Sequence, residues 1–171
     1  VEGATVENVQ NTNSQNWYAT IKDAVDAASE NDILEVHASL EENVTINVKG
    51  ITLQAAETKE VTLTGTITIT EGGVTVDGLN FIKPAGEGAD SIVLNGVNNV
   101  TIKNCDFDAS ASIGDPDGRA VQMNNSCSGV TIDSCTFKGG YYVTIQGRAD
   151  GLTVQNSEIK NCKSGINLLA G

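Results

Sequence analysis

Four versions of one phrase predict an all-β chain folded as a right-handed, single-stranded parallel β-helix with an N-terminal α-helical cap. VTVDGLNF begins at Val74, VTIKNCDF at Val100, VTIDSCTF at Val130 and LTVQNSEI at Leu152, so successive starts lie 26, 30 and 22 residues apart. Repeats of that length mark stacked solenoids or propellers. A second observation is composition. Aromatic residues make up 4 % of the chain and there are two prolines against 18 glycines, which suits many short strands joined by turns better than packed helices. The third is an apolar pair that follows every phrase: Ile92 and Leu94, Val121 and Met123, Val143 and Ile145, Ile166 and Leu168. Each repeat therefore holds three strands. None of the short hairpin turns needed by antiparallel blades separates them, so successive repeats stack in parallel about 4.8 Å apart. Coils wound in this way are right-handed.

The elements follow in chain order. Residues 17–29 carry Tyr18, Ile21, Ala24, Val25 and Ala28 on one helical face, with Asn16 as N-cap, and predict the cap helix. Such a helix covers the apolar core and the open strand edges of the first coil. Between Asn43 and Thr70 the runs NVTINV, ITL, VTL and TITIT continue the alternation and predict one or two further coils. Inside each phrase the inward parity slips between the third and sixth residues, so the chain must bend there. Gly78, Asn104, Ser134 and Asn156 occupy that place, all of them residues that tolerate tight turns. The whole chain, 1–171, reads as a single β-helix domain with coils over about 33–171.

Ten basic against 22 acidic residues give a net charge of −12. That field repels phosphate backbones and anionic membrane surfaces, so neither nucleic acid nor membrane is an expected partner. No run approaches the length of a membrane-spanning helix. The four cysteines, Cys105, Cys127, Cys135 and Cys162, lie too far apart in sequence for a CxxC metal site. Cys105 and Cys135 share a repeat position and are expected to stack on successive coils as thiols, because parallel Cβ vectors fit a disulfide dihedral poorly.

The stretch WYATIKDAVDAASENDILEVHASLEENVTINVKGITL, followed by the VTIKNCDF repeats, resembles the cap and coils of right-handed parallel β-helix proteins of the pectin lyase-like superfamily, over about residues 17–168. That superfamily holds pectate lyases, polygalacturonases, pectin methylesterases, tailspikes and adhesins, so the resemblance implies the fold and leaves the activity open. The usual Pro-Gly-x-Tyr turn is replaced by Ala38-Ser39-Leu40. The paired carboxylate motifs of the hydrolases are missing, as are those of the methylesterases, and the single histidine, His37, lies in the first strand. For a lyase, Asp115, Asp117 and Arg119 in GDPDGR have the residue types for Ca²⁺ and a base, without the surrounding motif.

What chemistry there is must sit in the variable turns or on the outward faces. The connections from second to third strand are the longest and, because coils stack, form one rim: IKPAGEGADS, DASASIGDPDGRA, KGGYY and KNCKSG. It gathers Glu87, Asp90, Asp108, Asp115, Asp117, Arg119, Tyr141 and Tyr142. Long loops on one face of a repeat protein commonly form its binding face. The candidate ligand-binding residues are Asp108, Asp115, Asp117, Arg119, Tyr141 and Tyr142, with tyrosine rings for sugar faces and Asp115 and Asp117 as a candidate Ca²⁺ pair. The same acids and glycines are also ordinary turn residues that keep a surface soluble.

Three lesser features complete the reading. Thr75, Thr101, Thr131 and Thr153 form a ladder that could present hydroxyls to ice, but Asp77, Lys103, Asp133 and Gln155 beside it break any flat hydroxyl lattice. Trp17 is expected to anchor the start of the cap helix. Asn43, Asn99 and Asn124 begin glycosylation sequons, common in chains so rich in Asn and Thr. At the other end, Ile166 and Leu168 are followed by nothing that covers the last coil, and the expectation is a following domain or another subunit there. Taken together, the sequence predicts a noncatalytic module of a secreted or cell-surface protein, an adhesin, scaffold or carbohydrate binder. The alternative is a polysaccharide-acting enzyme, a Ca²⁺-dependent lyase with Arg119 as base.

Overall fold

A computed structural model describes residues 6–83, 88–114 and 116–169. The chain opens with β1 (Val9–Asn11), β2 (Asn16–Tyr18) and one helix, α1 (Ile21–Asp26). Six coils of three strands follow. The first holds β3 (Ile33–Val36), β4 (Leu40–Glu41) and β5 (Val44–Ile46), and the second β6 (Thr52–Ala55), β7 (Thr62–Thr64) and β8 (Ile67–Ile69). The third holds β9 (Thr75–Asp77), β10 (Asn80–Ile82) and β11 (Ile92–Asn95); the fourth, β12 (Thr101–Lys103), β13 (Asp106–Ala109) and β14 (Arg119–Ser128). β15 (Thr131–Asp133), β16 (Thr136–Gly139) and β17 (Val143–Asp150) make the fifth, and β18 (Thr153–Gln155), β19 (Glu158–Lys160) and β20 (Ile166–Leu168) the sixth.

Corresponding strands stack in parallel into three sheets. Sheet A runs β18-β15-β12-β9-β6-β3 and ends in β1-β2, sheet B runs β19-β16-β13-β10-β7-β4, and sheet C runs β20-β17-β14-β11-β8-β5. The molecule is a right-handed β-solenoid of about six turns, almost without helix. Its interior is a set of ladders. Val76, Ile102, Ile132 and Val154 align in sheet A, and Leu63, Phe81, Phe107, Phe137 and Ile159 in sheet B. The three phenyl rings stack 4.8 Å apart, tilted by 8° and 13°. Coil spacing dictates that near-parallel contact, although isolated aromatic pairs favour offset or edge-to-face arrangements.

The corners are made by left-handed residues. Between sheets A and B, Gly78, Asn104, Ser134 and Asn156 have φ of 68°, 52°, 54° and 50°, the bend expected from the slip of parity. Gly and Asn hold this conformation at little cost. The next turn inward then starts sheet B with Leu79, Cys105 or Cys135 buried.

The cap differs from its expectation. Helix α1 spans six residues rather than 17–29, and Thr20, not Asn16, is its N-cap, accepting the Asp23 N–H at 3.0 Å. Glu42 from the first coil accepts the Ile21 and Lys22 N–H groups at 2.8 and 3.2 Å and so holds the helix start against the stack. Ile21, Ala24 and Val25 are its buried face. Asn16–Tyr18 is spent on a strand, because Val9–Asn11 pairs with it on one side and with Leu34–Val36 on the other, both antiparallel. Trp17 accordingly lies on β2, its ring 4.7 Å from that of His37 and tilted by 57°. This antiparallel pair, with α1, closes the first edge of sheet A.

One inward pair is also displaced. Val121 and Met123 face Ile145 and Gly147, and those face Ile166 and Leu168, so the fifth-coil pair is Ile145 and Gly147 and not Val143 and Ile145. Val143 sits at the preceding corner, opposite Arg119. At the far end Ile159, Ile166 and Leu168 are 36, 47 and 50 % exposed, with no seventh coil over them among the described residues.

Candidate functional site

The rim between sheets B and C is held together by its own acids. Asp117 accepts the Gly88 N–H at 2.5 Å on one oxygen and the Gly118 N–H at 2.7 Å on the other, and Lys83 lies 3.8 Å away. The Gly88 bond above all holds its pKa below the usual carboxylate range. Asp108 accepts the Ser110 N–H at 2.8 Å and faces Lys138 at 3.5 Å. Burial acts to raise its pKa, but the bonds to Ser110 and the Lys138 charge outweigh it and the net shift is downward. Both carboxylates thus tie neighbouring turns together.

The two tyrosines part company. Tyr141 is fully buried, and its Oη is 3.0 Å from Ser91 Oγ, across two coils. A ring so enclosed packs the core and offers no face to a sugar. Burial pushes its pKa well up. Tyr142 is 47 % exposed, and the Lys163 ammonium sits 4.2 Å over its ring. Asp115 and Glu87 lie outside the described residues, so the candidate Ca²⁺ pair has only Asp117 described. Among the described residues no group of three His, Cys, Asp or Glu is arranged to hold a metal.

Arg119 points away from this rim, onto the outer face of sheet C. Its Nε donates to Gln146 Oε1 at 2.6 Å, and its guanidinium lies 3.7 Å from Asp90. Asp90 also accepts the Arg119 backbone N–H at 2.8 Å. Burial raises the Asp90 pKa, and the Arg119 charge offsets part of that.

Two adjoining grooves cross this face. One, of about 410 Å³, is lined by Asn95, Gln122, Met123, Asn124, Asn125, Arg148 and Leu169. The other, of about 380 Å³, is lined by Asp90, Arg119, Gln122, Asn124, Gln146 and Leu169. Parallel register builds them. Val93, Gln122, Gln146 and Asn167 form one outward row, and Asn95 with Asn124 begins a second, two residues along the strands. A bulge then widens the face: between Met123 and Cys127 the pairing of β14 with β17 shifts, and Asn125 and Ser126 take φ of 56° and 55°. Bulges at such faces re-aim side chains. Here Asn125 donates to Asn95 at 2.5 Å.

A larger recess of about 530 Å³ lies beside Glu41, Glu42 and Thr64 to Thr66. Glu42 is already committed to the start of α1, and Asn43 to the Thr66 N–H at 2.8 Å.

The outward row on sheet A behaves differently. Thr52 extends the threonine ladder to five. Beside it Lys103 pairs with Asp77 at 3.1 Å, and Gln155 and Asn156 donate to Asp133 at 2.8 and 2.9 Å, which holds Asp133 well ionised. These side chains satisfy each other along the axis and present no uniform lattice.

Parallel sheets coiled in this way, with a column of left-handed residues at a corner, fit one family model, described as a right handed beta helix region, which matches residues 64–171. The chain belongs to the right-handed β-helix family. No curated protein and no solved structure matches it. In this β-helix the residues that sequence reasoning passed over are Asn95, Gln122, Asn124, Asn125, Gln146 and Arg148. Their signal was present as polar residues alternating with the inward pairs, but alternation says only that a side chain faces out.

Proposed function

We propose that this β-helix is a noncatalytic, glycan-binding module of a secreted or cell-surface protein, and that sheet C carries the binding face. The observation behind the proposal is the open groove in which three successive coils converge amide side chains, Asn95 from the third, Gln122, Asn124 and Asn125 from the fourth and Gln146 from the fifth. An amide offers a donor and an acceptor side by side, the pairing that sugar hydroxyls require. Such sites fix orientation with a few convergent polar groups on a rigid scaffold. The secreted setting and adhesin-like role rest on the resemblance to pectin lyase-like β-helices.

The lyase alternative has less support. Arg119 is engaged by Gln146 and Asp90, and both oxygens of Asp117 receive backbone amides. Screening the chain on a broad glycan array tests binding. Incubation with polygalacturonate, with and without Ca²⁺, tests the alternative. The proposal expects retention of at least one glycan class and no new unsaturated ends. Ca²⁺-dependent cleavage lost in Arg119→Ala would replace it with the lyase.

A further inference from the structure

Resting on the glycan-binding reading, we infer that the groove on sheet C takes an uncharged glycan lying along the solenoid axis, with Gln122 as its central anchor. Direction follows from register. Val93, Gln122, Gln146 and Asn167 step from coil to coil, and Asn95 and Asn124 do the same beside them. Coils repeat about every 4.8 Å, close to the length of one pyranose in an extended chain. A glycan along the axis meets an equivalent outward position at each sugar. One lying along the strands meets the Asn124 to Ser126 bulge instead, where the polar rows lose their register.

Charge follows from the lining. The Asp90 carboxylate and Arg119 guanidinium offset each other at 3.7 Å. Arg148 makes no ion pair among the described residues, but it stands alone at one end against a molecule of net charge −12. Apart from the apolar Met123 and Leu169, the remaining lining groups are amides, and several keep one function free. Asn125 donates to Asn95 Oδ1, leaving the Asn95 NH₂ for an acceptor, and Arg119 donates to Gln146 Oε1, leaving the Gln146 NH₂. A row of free NH₂ groups beside carbonyls matches hydroxyls, which both give and take a hydrogen bond.

Gln122 lies in both grooves. Its NH₂ donates to Asn124 Oδ1 at 3.0 Å and, at a long 3.4 Å, to Met123 O. Its Oε1 is enclosed and accepts no hydrogen bond from any described residue. Rotation of the amide brings that oxygen to the groove, where a sugar hydroxyl supplies the missing donor. Buried acceptors are ordinarily satisfied, and the rotation exchanges the Gln122 bond to Asn124 for a donor to this oxygen, leaving Asn124 Oδ1 to accept from the same sugar. No aromatic ring lines either groove, so hydrogen bonding rather than stacking sets affinity.

The test is calorimetric titration of the whole chain with four defined hexasaccharides: β-1,4-glucan, β-1,4-mannan, β-1,4-xylan and α-1,4-galacturonan, at 50 and 500 mM NaCl. At least one neutral hexamer binds, its Kd changes less than two-fold with salt, and Gln122→Ala weakens it at least ten-fold. Thr101→Ala, on the outer face of sheet A, leaves it unchanged. A Gln122→Glu variant, isosteric on the same fold, guards against simple misfolding and weakens it similarly. Binding of galacturonan alone, weakened by salt, overturns the inference and leaves the glycan-binding proposal standing. Neutral binding untouched by both Gln122 variants overturns the placement. No binding by any hexamer, with a blank glycan array, removes both.

Discussion

Met123 and Gly147 are register partners on the fourth and fifth coils, and a Cβ added at Gly147 would lie 2.0 Å from Met123 O. Its φ is +138°, a conformation that L side chains rarely adopt. One absent methyl group therefore lets β14 and β17 close just before the bulge that shapes the sheet C groove.

Gly147→Ala should cost about 2–4 kcal/mol, from strain and overpacking together. Urea denaturation with an unchanged m-value measures it. A loss under 0.5 kcal/mol would show that the backbone here yields freely.

Phe107 is the middle ring of the stack, touched on both sides. Phe107→Ala is expected to lose about 3–5 kcal/mol, the range for deleting a buried aromatic. Phe137→Ala should lose less, because Ile159, its other neighbour, is 36 % exposed and can settle. An order reversed in denaturation midpoints contradicts the ladder account.

Acid has a definite sign. Asp108, Asp117 and Asp133 have folded pKa values below the ordinary one of about 3.9, so the stability they contribute is present above that value and is lost as pH falls through the lower folded values. Asp90 is raised, so it takes up its proton earlier in the folded chain, and acidification through that window favours folding. Urea midpoints should therefore hold or rise slightly on moving from pH 7 toward 4 and drop below it. In Asp90→Asn the rise disappears, and a retained rise contradicts the assignment.

Thiol reactivity should divide three to one. Cys105, Cys127 and Cys135 are 1–2 % exposed, whereas Cys162 is half-buried. The Cys135 thiol beside it, together with burial, holds the Cys105 thiol well above its usual pKa. A chromogenic disulfide reagent should label one thiol quickly in the native protein and four in denaturant. Fewer than four in denaturant, without reductant, would reveal a disulfide.

How much of this was legible depends on what each residue reports. Val76, Ile102 and Ile132 betray their ladder because inward positions tolerate only apolar side chains, and Gly78 and Asn104 betray the corner because few residues accept a positive φ. The cap misled because Tyr18, Ile21, Val25 and Ala28 fit a helical face, while the pairing that claims Asn16–Tyr18 as a strand comes from Val9–Asn11, which periodicity cannot connect to it. Val143 is buried, as its chemistry suggested, but it stands opposite Arg119, and the place across from Met123 went to a glycine fitted to a carbonyl on the neighbouring coil. At the rim, Asp117 was visible as an acid, but its commitment to two backbone amides was not. Tyr141 looked like a turn residue, and only the stacking of coils carries it inward to Ser91. The amides of sheet C were hidden because outward polar residues are the default of any solenoid, and their convergence depends on register and on the bulge after Met123.

The most direct test of the central proposal is to titrate ¹⁵N-labelled protein with the glycan selected by the array and follow the side-chain NH₂ resonances. The account predicts shifts confined to Asn95, Gln122, Asn124, Asn125 and Gln146, with Gln155 on sheet A and Asn156 at its corner unmoved. Shifts centred on sheet A, or on the Tyr142 and Lys163 turn with the sheet C amides silent, would contradict it.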